Sequence, residues 1–422
     1  MTALDARHAT YRDVFAVREF RALFASLGTL IIGDSVRMLA LSVLVYADTG
    51  SPLLAALAYV SGFLPHALGG SFLLALADRW PPRTLMIGYD LLRLAVAVVL
   101  AVGVLPPLGM LALVFAAGAF APVSMAARTA LLPELLDGDG YVLARSLFTI
   151  ASGGTQVVGF AAGGLLLALV GPHGALWLAA ATCVVSAAIV RLGLANRPAR
   201  RPPGRSAGPS RGAVRETWRV NGRLLADRRI RGLLLAQWLP GVLMVGAEGA
   251  AVPYATALGA PSAAGVLLMA SALGMLIGDL VVGRFVRPDR REALTPWLAA
   301  VLGVPLLGFV LTPGPAVAAA LLMAATFGFA YQLGLARRFL ASVPEGHRGQ
   351  AFGLAQTGTM TLQGLAVAAA GALGELASPG IVVAVAGAAS LAATAALWRQ
   401  LSVDVRDPSG ASTSPVRGTG DG

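Results

Sequence analysis

The distribution of arginine along this chain constrains its fold more than any other sequence feature. Long apolar segments fill most of the 422 residues, and because lysine is absent, all 32 basic residues are arginines. Most of these arginines lie in every second gap between the apolar segments. The alternate gaps, which contain no basic residue, are 48–52, 103–109, 171–174, 258–262, 311–315 and 375–379. Because positive charge resists translocation, this alternation predicts a polytopic membrane protein with its arginine-rich loops in the cytoplasm.

Twelve apolar segments are long enough to cross a membrane, since a helix needs about 20 residues to span roughly 30 Å of hydrocarbon. The predicted spans are 20–46, 52–77, 84–105, 108–131, 142–170, 174–195, 231–257, 262–283, 293–311, 316–340, 350–374 and 379–398. The predicted fold is therefore all-α and polytopic, with twelve transmembrane helices in two six-helix halves. An even number of spans places both termini in the cytoplasm, and we expect the plasma membrane of a bacterium.

Changes in composition divide the chain into five predicted regions. These are a cytoplasmic N-terminus (1–19), an N-terminal six-helix bundle (20–195), a cytoplasmic linker (196–230), a C-terminal six-helix bundle (231–400) and a disordered cytoplasmic tail (401–422). The linker begins with a flexible stretch rich in proline, glycine and arginine. Its second part, around Trp218, is predicted to form either an amphipathic helix on the membrane surface or a solvated helix that leads into the seventh span.

Composition also excludes several classes of function. Hydrophobic residues make up 57% of the chain and charged residues 13%, against about 25% charged residues in average soluble proteins. Topology and contact with anionic lipid explain the net charge of +11, so we predict no nucleic-acid partner. The sequence has no Walker A loop and no enzyme or metal-site signature. We therefore predict no cofactor and no enzymatic activity. The division into two halves is a recurring plan of transporters, so we expect a monomer whose partners are protons, a small-molecule substrate and the lipid bilayer.

Asp34, Arg37 and Glu248 lie well inside predicted spans, where a charge at the bilayer centre costs about 2.5–3.5 kcal/mol on insertion scales. Asp34 and Arg37 lie one helical turn apart on the same face of the first span. Asp34 is predicted to be a proton-coupling or substrate-binding acid, or else the partner of Arg37 in a structural ion pair. Glu248, in the seventh span, has no cation nearby in sequence, which favours a proton carrier; a role at the outer mouth or in packing is the alternative.

Uncharged polar side chains within the spans are predicted to line a cavity that binds amphipathic molecules. The candidate residues are Gln156, Gln237, Trp238, Tyr254, Tyr331, Gln332, Gln356 and Gln363. Each of them is also compatible with a simple contact between helices.

The loop after the second span reads ALADRWPPRTL and contains Asp78, Arg79 and Arg83. It resembles the cytoplasmic signature loop of the major facilitator superfamily, roughly G-x-x-x-D-R-x-G-x-R, with Leu74 and Pro81 in place of the two glycines. The resemblance implies a gate whose charges pair across the two halves when the transporter faces outward. The predicted gate comprises Asp78, Arg79, Arg83, Asp90 and Arg93. The alternative is an ordinary loop whose arginines only fix the topology.

Other stretches resemble one branch of that superfamily, the enterobactin-exporter and macrolide-efflux-like proteins. They include Gly33-Asp34, Thr49-Gly50-Ser51-Pro52, Asp90-Leu91-Leu92-Arg93 and Leu132-Pro133-Glu134. The fifth span resembles the glycine-rich signature of facilitator antiporters, although Phe160 replaces its proline. The glycines concerned are Gly154, Gly159, Gly163 and Gly164. Close helix packing would explain the same glycines.

The resemblance implies a twelve-span carrier of the major facilitator fold that works by alternating access. We expect a proton-coupled antiporter that exports a small amphipathic compound, such as a drug, a natural product or a siderophore, and that contributes to multidrug resistance. Two alternatives remain open at this stage. One is an importer or uniporter of a small metabolite on the same fold, and the other is a transport-inactive membrane sensor.

Overall fold

The computed structural model describes residues 10–61, 80–198, 211–344 and 348–402, and every regular element in these ranges is a helix. The helices before the linker form what we call the first half. They are α1 (Tyr11–Ala16), α2 (Arg18–Thr49), α3 (Pro52–Val60), α4 (Pro82–Val102), α5 (Pro107–Gly118), α6 (Ala121–Leu135) and α7 (Gly138–Gly193). Helix α8 (Arg211–Ala226) lies in the linker, where the sequence predicts a helix around Trp218.

The remaining helices form the second half. They are α9 (Arg228–Glu248), α10 (Ala251–Ala257), α11 (Ala263–Phe285), α12 (Pro288–Val301), α13 (Pro315–Phe327), α14 (Tyr331–Ser342), α15 (Arg348–Gly374), α16 (Pro379–Ala396) and α17 (Trp398–Leu401). Short 3-10 helices at Pro305–Leu311 and Gly328–Ala330 separate α12 from α13 and α13 from α14. The five predicted regions and their boundaries stay a prediction.

The described residues contain nine helical segments that are long and apolar enough to cross a membrane, as expected of a multi-pass membrane protein. One of them, Leu143–Gly193, covers the predicted fifth and sixth spans. It bends sharply at Gly171, whose φ of 69° is in the left-handed region that glycine tolerates best. Helix α3 begins the second predicted span, and the remainder of that span lies outside the described residues. Helix α15 matches the eleventh predicted span. Because every regular element in the described ranges is a helix, the predicted all-α fold is confirmed.

Local sequence explains where several helices begin. The Ser51 hydroxyl accepts a hydrogen bond from the backbone N–H of Leu54 at the start of α3, and proline occupies the first helical position. The Asp227 carboxylate accepts hydrogen bonds from two backbone N–H groups at the start of α9. These side chains satisfy donors that the first helical turn leaves unpaired. Polar residues next to apolar segments therefore fix the starts of these two helices.

Several predicted spans are interrupted within the bundle. The fourth span breaks between Gly118 and Ala121, and the seventh breaks between Glu248 and Ala251. The tenth contains the 3-10 turn Gly328–Ala330. Discontinuous helices are a recurring feature of transporter binding sites, because unwound backbone is tolerated where it is buried in protein or lines a cavity.

The two halves meet near what we call the arginine-poor end of the bundle, where the loops 48–52 and 375–379 lie. Helix α3 packs on α15, and α7 packs on α11. At the second contact Gly164 and Gly265 lie so close that a Cβ atom on Gly265 would be 2.7 Å from the backbone nitrogen of Gly164. Glycine is thus required there for the helices to approach. These contacts close the bundle at the arginine-poor end.

Candidate functional site

A cavity of about 670 Å³ lies between the two halves. Side chains from α2, α4, α5, α6 and α7 form most of its wall, and α15 supplies the side that belongs to the second half. Much of the wall is apolar, with residues such as Met38, Val114 and Met360. One side carries charged groups. A cavity of this size with an apolar wall and a few polar groups is typical of a site for a small molecule.

Asp34 lies on the charged side of this cavity. Its Oδ1 atom is 3.0 Å from Nη2 of Arg93 and 3.4 Å from Nη2 of Arg37. The pair between Asp34 and Arg37 agrees with their spacing of three residues on one helix. The contact with Arg93 joins α2 to α4 and brings together two residues that are far apart in sequence.

A second carboxylate lies behind the first. Asp90 is fully buried, accepts a hydrogen bond of 2.7 Å from the Ser186 hydroxyl and lies 3.4 Å from Arg93. Arg128 is also fully buried, 4.0 Å from Asp90, and donates a hydrogen bond to the Ser26 hydroxyl. We call the five residues Asp34, Arg37, Asp90, Arg93 and Arg128 the charge cluster.

The charge cluster contains two of the predicted gate residues and one arginine outside the predicted site. Asp90 and Arg93 lie beside Asp34, about 10 Å and about 15 Å further along α4 than Arg83, and their role in a gate stays a prediction. A buried charge requires a partner, and Asp34 supplies it at this depth. Arg128 is not among the predicted site residues. It lies three residues before the end of the predicted fourth span, next to an arginine-rich gap, so the sequence pattern does not distinguish it from a loop arginine.

Glu248 lies at the boundary between the halves, apart from the charge cluster. The Tyr59 hydroxyl donates to its Oε2 atom over 3.1 Å, and the Ser271 hydroxyl donates to its Oε1 atom. Tyr59 belongs to α3 of the first half, whereas Glu248 and Ser271 belong to the second half. Within the described residues the Glu248 carboxylate forms no ion pair. It therefore links the two halves through neutral hydroxyl groups.

Of the polar residues predicted to line the cavity, the structure places Gln156 and Gln356 in its wall, one from each half. Trp238 donates from Nε1 to the carbonyl of Ala355 over 2.9 Å, and Tyr254 donates to the carbonyl of Pro313 over 2.7 Å. Both side chains thus satisfy their polar groups in helix packing, as buried aromatic donors usually do.

The other predicted lining residues also lie away from this wall. The Tyr331 hydroxyl donates to the backbone carbonyl of Gln237, which places the Tyr331 side chain in the packing of the second half, and the half-buried Gln237 is not part of this wall. Gln332 and Gln363 are half-buried and do not line the cavity as the described residues define it. Of the predicted lining residues, this wall therefore contains the two amides Gln156 and Gln356, and a binding role for any of the candidates stays a prediction.

The glycine-rich helix α7 shows close packing at three of its four predicted positions. Gly159 and Gly163 lie against α2, where a Cβ atom would meet Ser35 and Leu39, and Gly164 lies against Gly265. Gly154 faces open space, with no atom within 4 Å of an added Cβ among the described residues. Close approach explains the first three glycines. Their role in an antiporter signature stays a prediction.

The predicted gate loop is described only in part. Asp78 and Arg79 lie outside the described residues. Arg83 donates from Nη2 to the backbone carbonyl of Arg191, which connects the start of α4 to the end of α7 within the first half. Its pairing across the halves stays a prediction.

An additional contact between the halves lies at the arginine-poor end. The Glu375 Oε1 atom accepts hydrogen bonds from the Ser51 hydroxyl and from the backbone N–H of Leu53, the latter over 3.1 Å. The hydrogen bonds from the Ser51 hydroxyl and the Leu53 N–H lower the pKa of Glu375. More than 300 residues separate the partners, so no sequence pattern indicates this contact. We call it the Glu375 contact.

Comparisons with known proteins agree with this architecture. The sequence model described as Major Facilitator Superfamily matches residues 23–336. No curated protein sequence matches the chain significantly. Similar solved structures include a bacterial homologue of the iron transporter ferroportin in an inward-facing state, with 18% identity, coverage of 92% of this chain and 99% of that chain, and a TM-score of 0.65.

A variant of the nucleoside transporter NupG has 14% identity, covers 90% of this chain and 99% of its own, and gives a TM-score of 0.65. The peptide transporter POT in complex with sulfate has 14% identity, with coverage of 93% and 95% and a TM-score of 0.67. At these identities the similarity shows a shared fold and nothing about the substrate.

Proposed function

This chain belongs to the Major Facilitator Superfamily and is a membrane transporter of that fold, and we propose that it exports small amphipathic compounds in exchange for protons. The observation that carries the proposal is the cavity of about 670 Å³ between the halves, with an apolar wall and charged groups on one side. Such a wall suits a compound that has both an apolar body and a polar group.

Alternating access would use the contacts between the halves. The halves meet near the arginine-poor end through Gly164, Gly265 and the Glu375 contact. We propose that they separate there while the arginine-rich end closes around Asp78, Arg79 and Arg83. The distribution of arginine favours a cytoplasmic location for that end, so the cavity would load from the cytoplasm or the inner leaflet. The resemblance to efflux proteins supports this direction and favours drugs, natural products or siderophores as substrates.

Glu248 is the better of the two candidate proton carriers. Asp34 contacts two guanidinium groups, which favour its charged form and must move before a proton can bind. Glu248 contacts the hydroxyl groups of Tyr59 and Ser271, and these can remain when it is protonated. It also bridges both halves. Separation of α3 from α9 would remove a hydrogen bond that a charged carboxylate accepts strongly, which would couple proton binding to the motion.

Resistance in an efflux-deficient bacterial host tests export. We expect the wild-type chain to raise the inhibitory concentration of at least one amphipathic toxic compound, and we expect Glu248→Gln and Asp34→Asn to lose that protection at equal expression. Asp137→Asn is the control, because Asp137 is an exposed acid that precedes α7 outside the predicted spans. Full protection by both acid-to-amide variants would exclude these acids as proton carriers. No protection by the wild type would contradict export.

Reconstituted vesicles separate coupling from binding. Addition of a compound identified in the resistance screen should release protons from acidified vesicles that contain the wild type, as an antiporter requires. Glu248→Gln should lose this proton release and keep exchange of labelled for unlabelled compound, since exchange needs no net proton movement. Transport without proton release by the wild type would indicate a uniporter, and proton uptake together with the compound would indicate an importer.

A further inference from the structure

The charge cluster is unbalanced next to the cavity. It contains three arginines and two carboxylates, and the cavity wall includes all three arginines but only Asp34 of the two acids. Asp90 lies behind the wall and is fully buried. Arginine remains protonated under all ordinary conditions. The charged side of the cavity therefore carries an excess of positive charge.

The arginines also have donors without partners. Nη1 of Arg37, Nε of Arg93, and both Nε and Nη2 of Arg128 are buried and donate no hydrogen bond among the described residues, although Nη2 of Arg128 lies 4.0 Å from the Asp90 carboxylate. The buried hydroxyl of Ser124, in the same wall, also has no hydrogen-bond partner among the described residues. Buried donors in native proteins are rarely left unpaired, and an unpaired buried charge is costly. A ligand in the cavity would satisfy several of these groups at once.

Access to these donors differs among the three arginines. The side chain of Arg37 is 12% exposed, that of Arg93 is 7% exposed, and that of Arg128 is fully buried. Arg37 and Arg93 can therefore contact a ligand directly, whereas Arg128 contributes charge from behind. Arg37 and Arg93 share one acceptor, Oδ1 of Asp34. An anionic group placed between them would compete with Asp34 for both guanidinium groups.

We propose that the transported compound carries a compact oxyanion, in the simplest case a carboxylate, which binds Arg37 and Arg93 while its apolar body lies along the wall near Met38, Met125 and Met360. This inference rests on the proposed function and names the substrate class of the same cavity. The planar fork of a guanidinium group matches a carboxylate in two parallel hydrogen bonds, which gives orientation as well as attraction. Methionine side chains adapt to apolar bodies of varied shape.

Binding of two matched pairs of compounds to the purified full-length chain tests this proposal. The probes are 2-naphthoate with 2-naphthamide and indole-3-acetate with indole-3-acetamide, and isothermal titration calorimetry measures their affinity. We expect each carboxylate to bind at least about tenfold more tightly than its amide, since hydrogen bonds to charged groups are the stronger ones. Equal affinity within both pairs, or no binding of either carboxylate, would overturn the proposal.

Substitutions within the cluster predict effects of opposite sign. Arg37→Gln should weaken carboxylate binding about tenfold and leave amide binding unchanged, whereas Asp34→Asn should strengthen carboxylate binding because it removes the competing acceptor. Arg231→Gln is the control. Arg231 lies near the start of α9, away from the cavity, is exposed, and donates to the carbonyl of Leu225 near the end of α8. Arg37 is partly exposed, so its replacement tests the site without removing the fully buried Arg128. An unchanged preference for carboxylates in Arg37→Gln would overturn the assignment.

The binding result and the transport result can fail separately. Carboxylate binding that depends on Arg37, together with no transport by the wild type, would leave the anion site intact and refute export. Export of neutral or cationic compounds, together with no carboxylate binding, would refute the anion site and leave export intact.

Discussion

The contact between Gly164 and Gly265 gives the sharpest test of alternating access, because one methyl group should change the balance between conformations. A Cβ atom at Gly265 would lie 2.7 Å from the backbone nitrogen of Gly164, whereas ordinary van der Waals contact begins at 3.4 Å. The Cα atom of Gly164 would be closer still, so helices α7 and α11 must separate by more than about 0.7 Å in Gly265→Ala. Backbone atoms form the opposing surface, so no side chain can rotate away to relieve the overlap.

The expected magnitude follows from the cost of overpacking. An added methyl group in a well-packed interface costs about 1–3 kcal/mol when its neighbours cannot move freely. This cost applies to the conformation that is closed at the arginine-poor end and disappears when the halves separate there. The equilibrium between the two conformations should therefore shift toward opening at that end by a factor of about 5 to 150.

Gly154→Ala is the matched control for this substitution. It places the same methyl group on the same helix α7, at a position with no atom within 4 Å of the added Cβ in the described part of the chain. Pulsed electron paramagnetic resonance would measure the distance between spin labels at Asp48→Cys and Ala316→Cys. Both sites are exposed and lie near the arginine-poor end. The buried Cys183 is first replaced by serine.

We expect a population with longer label distances in Gly265→Ala and the wild-type distribution in Gly154→Ala. Identical distributions in the two variants, at equal thermal stability, would refute the reasoning, because the overlap would then have been absorbed without separation of the halves. Longer distances in both variants would also refute it, since the effect would then not depend on the interhelical contact.

Two other predictions concern single contacts. Because the pKa of Glu375 is lowered below 4.5 in the closed conformation, its contribution to closure is complete above pH 4.5 and is lost as pH falls through the lower pKa. The same spin labels should therefore report opening on strong acidification, and Ser51→Ala should reduce this pH dependence; a pH-independent distance in the wild type would contradict the prediction. Trp238→Phe should lose the hydrogen bond to the Ala355 carbonyl and lower the free energy of unfolding by about 1–3 kcal/mol, as measured by thermal unfolding, without a change in ligand affinity. Altered ligand affinity at unchanged stability would instead indicate that Trp238 contacts the ligand.

The sequence predicts the membrane-spanning helices and several of their boundaries well, because both depend on local properties. Apolar length decides which segments can cross the hydrocarbon, and residues such as Ser51 and Asp227 begin helices through bonds within one turn. The pair between Asp34 and Arg37 follows from the same local geometry, since residues three apart share a helix face.

Local sequence patterns cannot predict the contacts of the site that join helices distant in sequence. Arg93 is assigned to the gate from its position in the sequence, yet it contacts Asp34 on another helix. Trp238 and Tyr254 are polar aromatic residues at suitable depth, but their orientation toward backbone carbonyls places them in packing. Which side of a helix faces the cavity depends on the neighbouring helices, and the hydropathy of the sequence does not identify those neighbours.

The sequence by itself therefore determines which segments are apolar enough to cross a membrane, where arginine is excluded and which charges lie within predicted spans. Each of these depends on the cost of placing a given residue in hydrocarbon, which is a property of that residue and its neighbours along the chain. Only the tertiary structure decides that Arg128 joins Arg37 and Arg93 beside one cavity, and that Glu248 bridges the halves. Those facts depend on how helices pack, because packing alone brings charges distant in sequence close enough to share a ligand.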